Sequence, residues 1–225
     1  MLFLILCHAT PAMSHPSWND NSSGAKIWLE IDSQILNALF CVTGLGLIPW
    51  RFRDLYYLLQ WRWKKNHSGL RHLAGIHRGW FRLQGSQEVD VKFNPAEDEP
   101  AGIDENVLAI PIKLTPDAPL TGERATATLY WKIDFVIWSF VINSFLQIML
   151  CGFMWGYTRF NRPSWVVGLL ISVACIVASA GGWMIFKEGK RVKKTEGVPV
   201  SKEDLEILKE MRLREGSSGE SGNAV

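Results

Sequence analysis

The chain has 225 residues, 48% of them hydrophobic, with 24 Lys and Arg against 22 Asp and Glu and a formal net charge of +2. That near balance excludes reading a partner from global charge, and the four cysteines, Cys7, Cys41, Cys151 and Cys175, show no metal or disulfide spacing. A mean hydropathy of +0.04 suits a soluble protein of one or two domains, but only as an average, because the apolar residues are gathered into a few runs.

In chain order, residues 1–13 begin with "MLFLILCHATPA", apolar but too short to span a membrane. This is expected to be either a signal-like h-region lacking a basic n-region or the tail of a truncated helix. Residues 14–32 carry one cation, Lys26, against Asp20, Glu30 and Asp32. Residues 33–50, "SQILNALFCVTGLGLIPW", hold no charge and are expected to be a first transmembrane helix. Residues 51–83 form a basic segment with eight Arg or Lys and one acid, Asp54. On a helix of 3.6 residues per turn, Phe52, Leu55, Tyr56, Leu59 and Trp63 share an arc, and Arg53, Asp54, Gln60, Lys64 and Lys65 lie opposite. Arg51 and Arg62 flank the apolar arc, where long cationic side chains snorkel to phosphates. The expectation is a helix lying in the membrane plane, with Pro49 permitting the turn. Its lipid-facing residues would be Trp50, Arg51, Phe52, Arg53, Tyr56, Arg62, Trp63, Lys64 and Lys65. His67, His72 and His77 follow at spacings of five, about 140° apart on a helix, so they do not converge on a metal.

Residues 84–132 are expected to be a loop, first acidic, then Pro-rich with Pro111, Pro116 and Pro119. Within it "ATATLYWKI" reads as a short strand or as the lead-in to a helix. Residues 133–157 and 165–186 contain uncharged runs of 23 and 22 residues, each long enough to cross roughly 30 Å of hydrocarbon. The link, 158–164, is expected to be a tight hairpin. The tail, 187–225, opens on "KEGKRVKK" and continues with "SKEDLEILKEMRLRE", where Ser201 and Asp204 give an N-cap pattern for a short helix. The end, "GSSGESGNAV", has a disordered composition. The fold class expected is thus an all-α membrane protein with three transmembrane helices, an interfacial helix, a Pro-rich cytoplasmic loop and a short C-terminal helix.

Lys and Arg prefer the cytoplasmic side of spans. They crowd Arg51–Lys65 and Lys187–Lys194, whereas the 158–164 link has only Arg159 and Arg162. One arrangement satisfies these biases: residues 14–32 and 158–164 outside, residues 51–132 and the tail inside. Asn21, in the sequon Asn21-Ser22-Ser23, is then a glycosylation candidate.

Four stretches carry a resemblance: "SQILNALFCVTGLGLIPWRFRDLYYL", "TLYWKIDFVIW", "CGFMWGYTRFNRPSW" and "FKEGKRVKKTEGVPV". Together they resemble a family of fungal multi-pass membrane proteins defined by a domain of unknown function, over about Trp28 to Val200. The resemblance implies a longer N-terminus with another apolar segment, which favours truncation for Met1–Ala12. It implies no activity, cofactor or substrate.

No P-loop, dinucleotide glycine pattern, nucleophile elbow, HExxH or EF-hand loop is present in the sequence. Polar residues inside spans are the remaining clue. Ser139, Asn143 and Gln147 recur every four residues as a polar stripe, and Gly168, Ser172, Cys175, Ser179 and Gly182 form a stripe of small residues. The amides are expected to pack against the small stripe, with Gln147 near Ser172. The function expected is a non-catalytic scaffold or interaction protein at the cytoplasmic leaflet; the alternative is a small channel or transporter subunit built on Ser139, Asn143 and Gln147. No catalytic residue, metal or cofactor is expected. The partners expected are the bilayer with its anionic cytoplasmic lipids, protein partners or a second copy of the chain, and no nucleic acid.

Overall fold

The computed structural model describes residues 23–90, 93, 95, 103–158 and 160–197. The apolar start, Asn21, the acids Glu97, Asp98 and Glu99, and the expected C-terminal helix lie outside the described residues. Among the described residues there is no strand, so "ATATLYWKI" is a helix lead-in rather than a strand. The helices are α1 (Gly24–Gly46), α2 (Ile48–Lys64), α3 (His67–Ile76), α4 (Tyr130–Gly156) and α5 (Ser164–Glu196), with single 3₁₀ turns at Glu105–Val107 and Ile112–Leu114. Three stretches are long and apolar enough to cross a membrane: Gly24–Lys64, Tyr130–Gly156 and Ser164–Glu196.

The chain divides into two compact units. The first comprises the chain up to Leu73 and Leu129–Lys187. Its centre is α4, which buries ten residues where α1 buries four. α1 runs antiparallel to α4. Gln34 Nε2 donates to the Met154 carbonyl at 3.0 Å, the Cys41 and Cys151 sulfurs are 2.7 Å apart, and Gly44 faces Gln147. A Cβ on Gly44 would come within 2.8 Å of Gln147 Cγ, so the glycine is what lets the two backbones approach. Leu150, Met154 and Leu170 join α4 to α5 in an apolar cluster with Leu146, Phe153, Val166 and Val167 around it.

α1 begins at Gly24, upstream of the expected boundary at 33, because the helix tolerates Lys26, Glu30 and Asp32 near its start. Glu30 is engaged by Arg162. The helical path continues past Leu47 into α2. Pro49 falls in the first turn of α2, where its missing N–H has no intrahelical acceptor to lose. The helix expected over Phe52–Lys65 is present as α2. Residues 48–64 run lengthwise beside the first half of α4, with Phe52 on Phe145, Trp61 on Tyr130 and Arg62 on Asp134. Lys65 ends α2 in the left-handed region (φ 51°). Asn66 Oδ1 accepts from the Ser68 amide at 2.9 Å, and α3 folds back so that His72 stacks on Tyr57 at 4.5 Å.

The second unit comprises Ala74–Thr128 and the chain from Glu188. Its Pro-rich part has little regular structure beyond the 3₁₀ turns, and Ile110–Pro111 is cis. Val89, Phe93 and Leu108 form a small apolar core with Ile103 and Val107 against it. Three guanidinium groups complete the unit. Arg82 forks onto Glu196, Arg124 donates to the carbonyls of Val89 and Asp90 at 3.1 and 3.0 Å, and Arg191 bonds Glu188 at 2.9 Å and Thr128 Oγ1 at 3.1 Å. Nearly structureless backbone is thereby held by charged hydrogen bonds where a helix or strand ladder would otherwise satisfy it.

Candidate functional site

A cleft of about 210 Å³ opens within the first unit. Phe40, Thr43 and Gly44 of α1, with Leu47 at its C-terminal cap, form one wall, and Ile171, Ala174, Cys175 and Ala178 of α5 the other. Asn143, Gln147 and Leu150 of α4 make the floor, and Arg51 of α2 closes one end. The polar groups come from residues far apart in sequence, brought together because α1 and α2 lie antiparallel to α4.

Arg51 is the unusual member. Its Nη1 donates to Ser144 Oγ at 2.8 Å, Asn143 Oδ1 at 3.1 Å and the Phe140 carbonyl at 3.2 Å. The guanidinium also sits 5.4 Å from the Phe140 ring centroid. All of these partners are neutral; among the described residues no carboxylate bonds it, and Nη2 and Nε are left for another acceptor. Asn143 is oriented by its other end, since Nδ2 donates to the Ala174 carbonyl at 3.0 Å. The amide thus presents its oxygen to Arg51 and bridges α2 to α5 through α4. Gln147 is 7% exposed, its Nε2 3.8 Å from the Cys41 sulfur. Neutral hydrogen bonds leave the charge of Arg51 uncompensated, and so the cleft has a net attraction for an anion.

Of the residues expected at a lipid surface, Trp50, Phe52, Arg53, Tyr56, Arg62, Trp63, Lys64 and Lys65 are exposed, Trp63 at 79%. Arg53 pairs with its neighbour Asp54 at 3.0 Å, and Arg62 lies over the Trp61 ring at 4.2 Å while bonding Asp134. Arg51, expected beside them, turns instead to the floor of the cleft.

The small stripe is a correction. Gly168, Ser172, Ser179 and Gly182 are exposed, and a Cβ on either of those two glycines would meet nothing within 4 Å. Ser172 Oγ donates to its own helix at Gly168, not to Gln147. The residues that face α4 are Leu170, Ala174 and Gly181, the last with Ser139 beneath it at 3.3 Å from an added Cβ. The physical reason is that polarity did not choose the face. Close approach to the buried Ser139 and the half-buried Asn143 did, and alanine or glycine serves that as well as serine. Cys175 is exposed on the rim of the cleft. Asn143 and Gln147 do lie in helix contacts, Gln147 against α1 rather than Ser172.

Sequence reasoning missed Ser144, Gly44 and the meeting of Cys41 with Cys151. The periodicity of α4 marked its polar face but could not name the helix opposite. The Arg82–Glu196 pair was missed too, being 114 residues apart in sequence. There the carboxyl would be pushed up by burial, but the hydrogen bonds and charge of Arg82 and the Ala125 amide hold it below the ordinary carboxylate range. The space beside this pair is about 20 Å³, little more than one water, so it reads as structural rather than as a ligand site. Among the described residues no group of three metal-ligating side chains converges.

A family model described as "Protein of unknown function (DUF2985)" matches residues 1–61, about a quarter of the chain. The match takes in the α1 wall of the cleft and Arg51. No curated protein matches the chain, and no solved structure matches it.

Proposed function

We propose that the chain is a non-catalytic, three-span membrane protein that holds an anionic group on Arg51 inside the bilayer, as a binding or carrier component. The observation that carries this reading is the uncompensated guanidinium beside a cleft in the apolar part of the bundle. Ser144 is ten residues into α4 from Asp134, which is ~15 Å at 1.5 Å per residue, or about half of a hydrocarbon layer of roughly 30 Å. A cation at that depth costs about 3 kcal/mol on insertion scales, and such residues face cavities and mark ligand or ion pathways. Packing alone does not require the charge, because the contacts of Arg51 with Phe140, Asn143 and Ser144 would be made by a neutral donor.

The resemblance to fungal multi-pass proteins and the charge bias of the span ends support the topology, with the loop that follows α2 and the tail on the cytoplasmic side. A second reading, an interaction surface for the anionic cytoplasmic leaflet, is favoured by the exposed face of Arg53, Tyr56, Trp63, Lys64 and Lys65. Liposomes separate the two. The full chain, reconstituted in neutral lipid and tested with matched anionic and neutral solutes, both small and long-chain, is expected to bind or pass at least one of these anionic classes, with at least a tenfold fall in Arg51→Gln. Equal behaviour of anions and neutral solutes, or indifference to Arg51, would leave the leaflet-binding reading in its place.

A further inference from the structure

We infer that the anion is the head of an amphiphile drawn from the bilayer, a carboxylate or phosphate on a long apolar chain, and not a small ion from water. This rests on the anion-holding reading of the same cleft and adds the ligand class and its route. The polar groups are confined to one end and the floor: Arg51, Asn143 and Gln147. The rim is apolar and outward-facing, with Phe40 exposed on α1, Leu47 exposed just after it and Ile171 exposed on α5. Thr43, also on that side, spends its hydroxyl on the Phe40 and Leu39 carbonyls of its own helix. A hydrated ion crossing such a rim would shed water with nothing to replace it. An amphiphile loses nothing there, because its chain stays against apolar side chains or lipid while its head reaches the free Nη2 and Nε of Arg51. The volume agrees. About 210 Å³ is room for about seven waters, enough for a head group and its first few methylenes but not for a whole lipid. The chain must therefore leave through the open side, between α1 and α5.

Cys175 on the rim supplies the readout. The full chain in neutral phosphatidylcholine nanodiscs is treated with N-ethylmaleimide, and the rate at Cys175 is followed by peptide mass spectrometry. The additions are stearate, its neutral monoacylglycerol, inorganic phosphate and chloride. Stearate is expected to slow labelling at concentrations about tenfold to a hundredfold below its neutral counterpart, the ratio set by a charged hydrogen bond. Phosphate and chloride are expected to leave the rate unchanged. Arg51→Gln should abolish the difference between stearate and monoacylglycerol. Ile171→Trp, which blocks the mouth while keeping Arg51, should abolish protection by both and carries the comparison should Arg51→Gln fail to fold. Protection by phosphate or chloride that depends on Arg51, with none by stearate, would overturn the amphiphile and leave the anion site standing. No protection by any anion would overturn both, and equal protection by stearate and its neutral counterpart would overturn the role of the charge.

Discussion

Gly69 and Glu196 each make a contact that sequence pattern does not reveal. A Cβ on Gly69 would lie 2.5 Å from the Tyr57 carbonyl oxygen and 3.2 Å from the Trp61 nitrogen, both backbone atoms that cannot swing aside. Gly69→Ala should therefore lift α3 off α2, break the Tyr57–His72 stack and cost about 1–3 kcal/mol. Gly46→Ala, where an added Cβ meets nothing within 4 Å, should be neutral or slightly stabilising, as read by thermal unfolding in detergent. For Glu196 the sign follows from its depressed carboxyl. The folded second unit binds that proton more weakly than the unfolded chain, so the stabilisation is complete above the ordinary glutamate value of about 4.3. It is lost as pH falls through that value to the lower one of the folded state. Exchange of the Ala125 amide, which donates to Glu196 Oε1 at 2.9 Å, should accelerate as pH drops below about 4, relative to the intrinsic rate. In Glu196→Gln that acid limb should be missing and exchange already fast at neutral pH.

Helix faces show where the sequence was legible and where it stopped. The spacing of Ser139, Asn143 and Gln147 is a property of one helix and so is readable from sequence, but the three residues divide between neighbours, Ser139 and Asn143 towards α5 and Gln147 towards α1. The partner face on α5 differs from the expected stripe of small residues, because Ala174 and Gly181, one or two positions from Ser172 and Gly182, are equally small and spacing alone does not choose between the two faces. The consequence is testable. Ala174→Leu should push α5 from Asn143 and cost about 1–3 kcal/mol, whereas Ser172→Leu, on an exposed surface, should leave detergent stability unchanged. Equal effects at both positions would return the contact to the small stripe. The pairing of α1 with α4 has its own check in Cys41 and Cys151, whose thiols are 2.7 Å apart. Diamide, an oxidant that takes up the two protons and two electrons released by the thiols, should link the two peptides in unreduced digests. Cys175 should stay unlinked and serve as the control. Loss of the product in Cys41→Ser, together with its absence from any peptide holding Cys175, would fix this point of contact between α1 and α4.

The whole chain was legible in its spans and opaque in its second unit, for one physical reason. Crossing length and absence of charge are local properties, readable from 23 consecutive residues such as Phe135–Tyr157. A unit closed by Arg82 on Glu196 and Arg124 on the Val89 carbonyl has no local pattern at all. Topology lies between these extremes, since it depends on which ends of the helices share a side. In the first unit Arg162 pairs with Glu30, so the 158–164 link meets the start of α1, and its basic charge is offset there. Arg62 pairs with Asp134 at the other end of α4, among the cations of α2. Under the proposed topology, the bias of Lys and Arg would orient the unit with Glu30 outside and Arg62 inside. The two sequons fall on opposite sides of that division. Asn21, outside the described residues, precedes α1 by three positions, and Asn66 joins α2 to α3. Only Asn21 should carry a glycan in a eukaryotic host. Asn66 cannot be replaced without losing the hydrogen bond from its Oδ1 to the Ser68 amide, so its sequon is better removed by Ser68→Ala. An endoglycosidase-sensitive mass shift should be present in the wild type and in Ser68→Ala and absent from Asn21→Gln. A shift that survives Asn21→Gln and disappears in Ser68→Ala would invert the orientation, and with it the side of the membrane from which the cationic face of α2 is read.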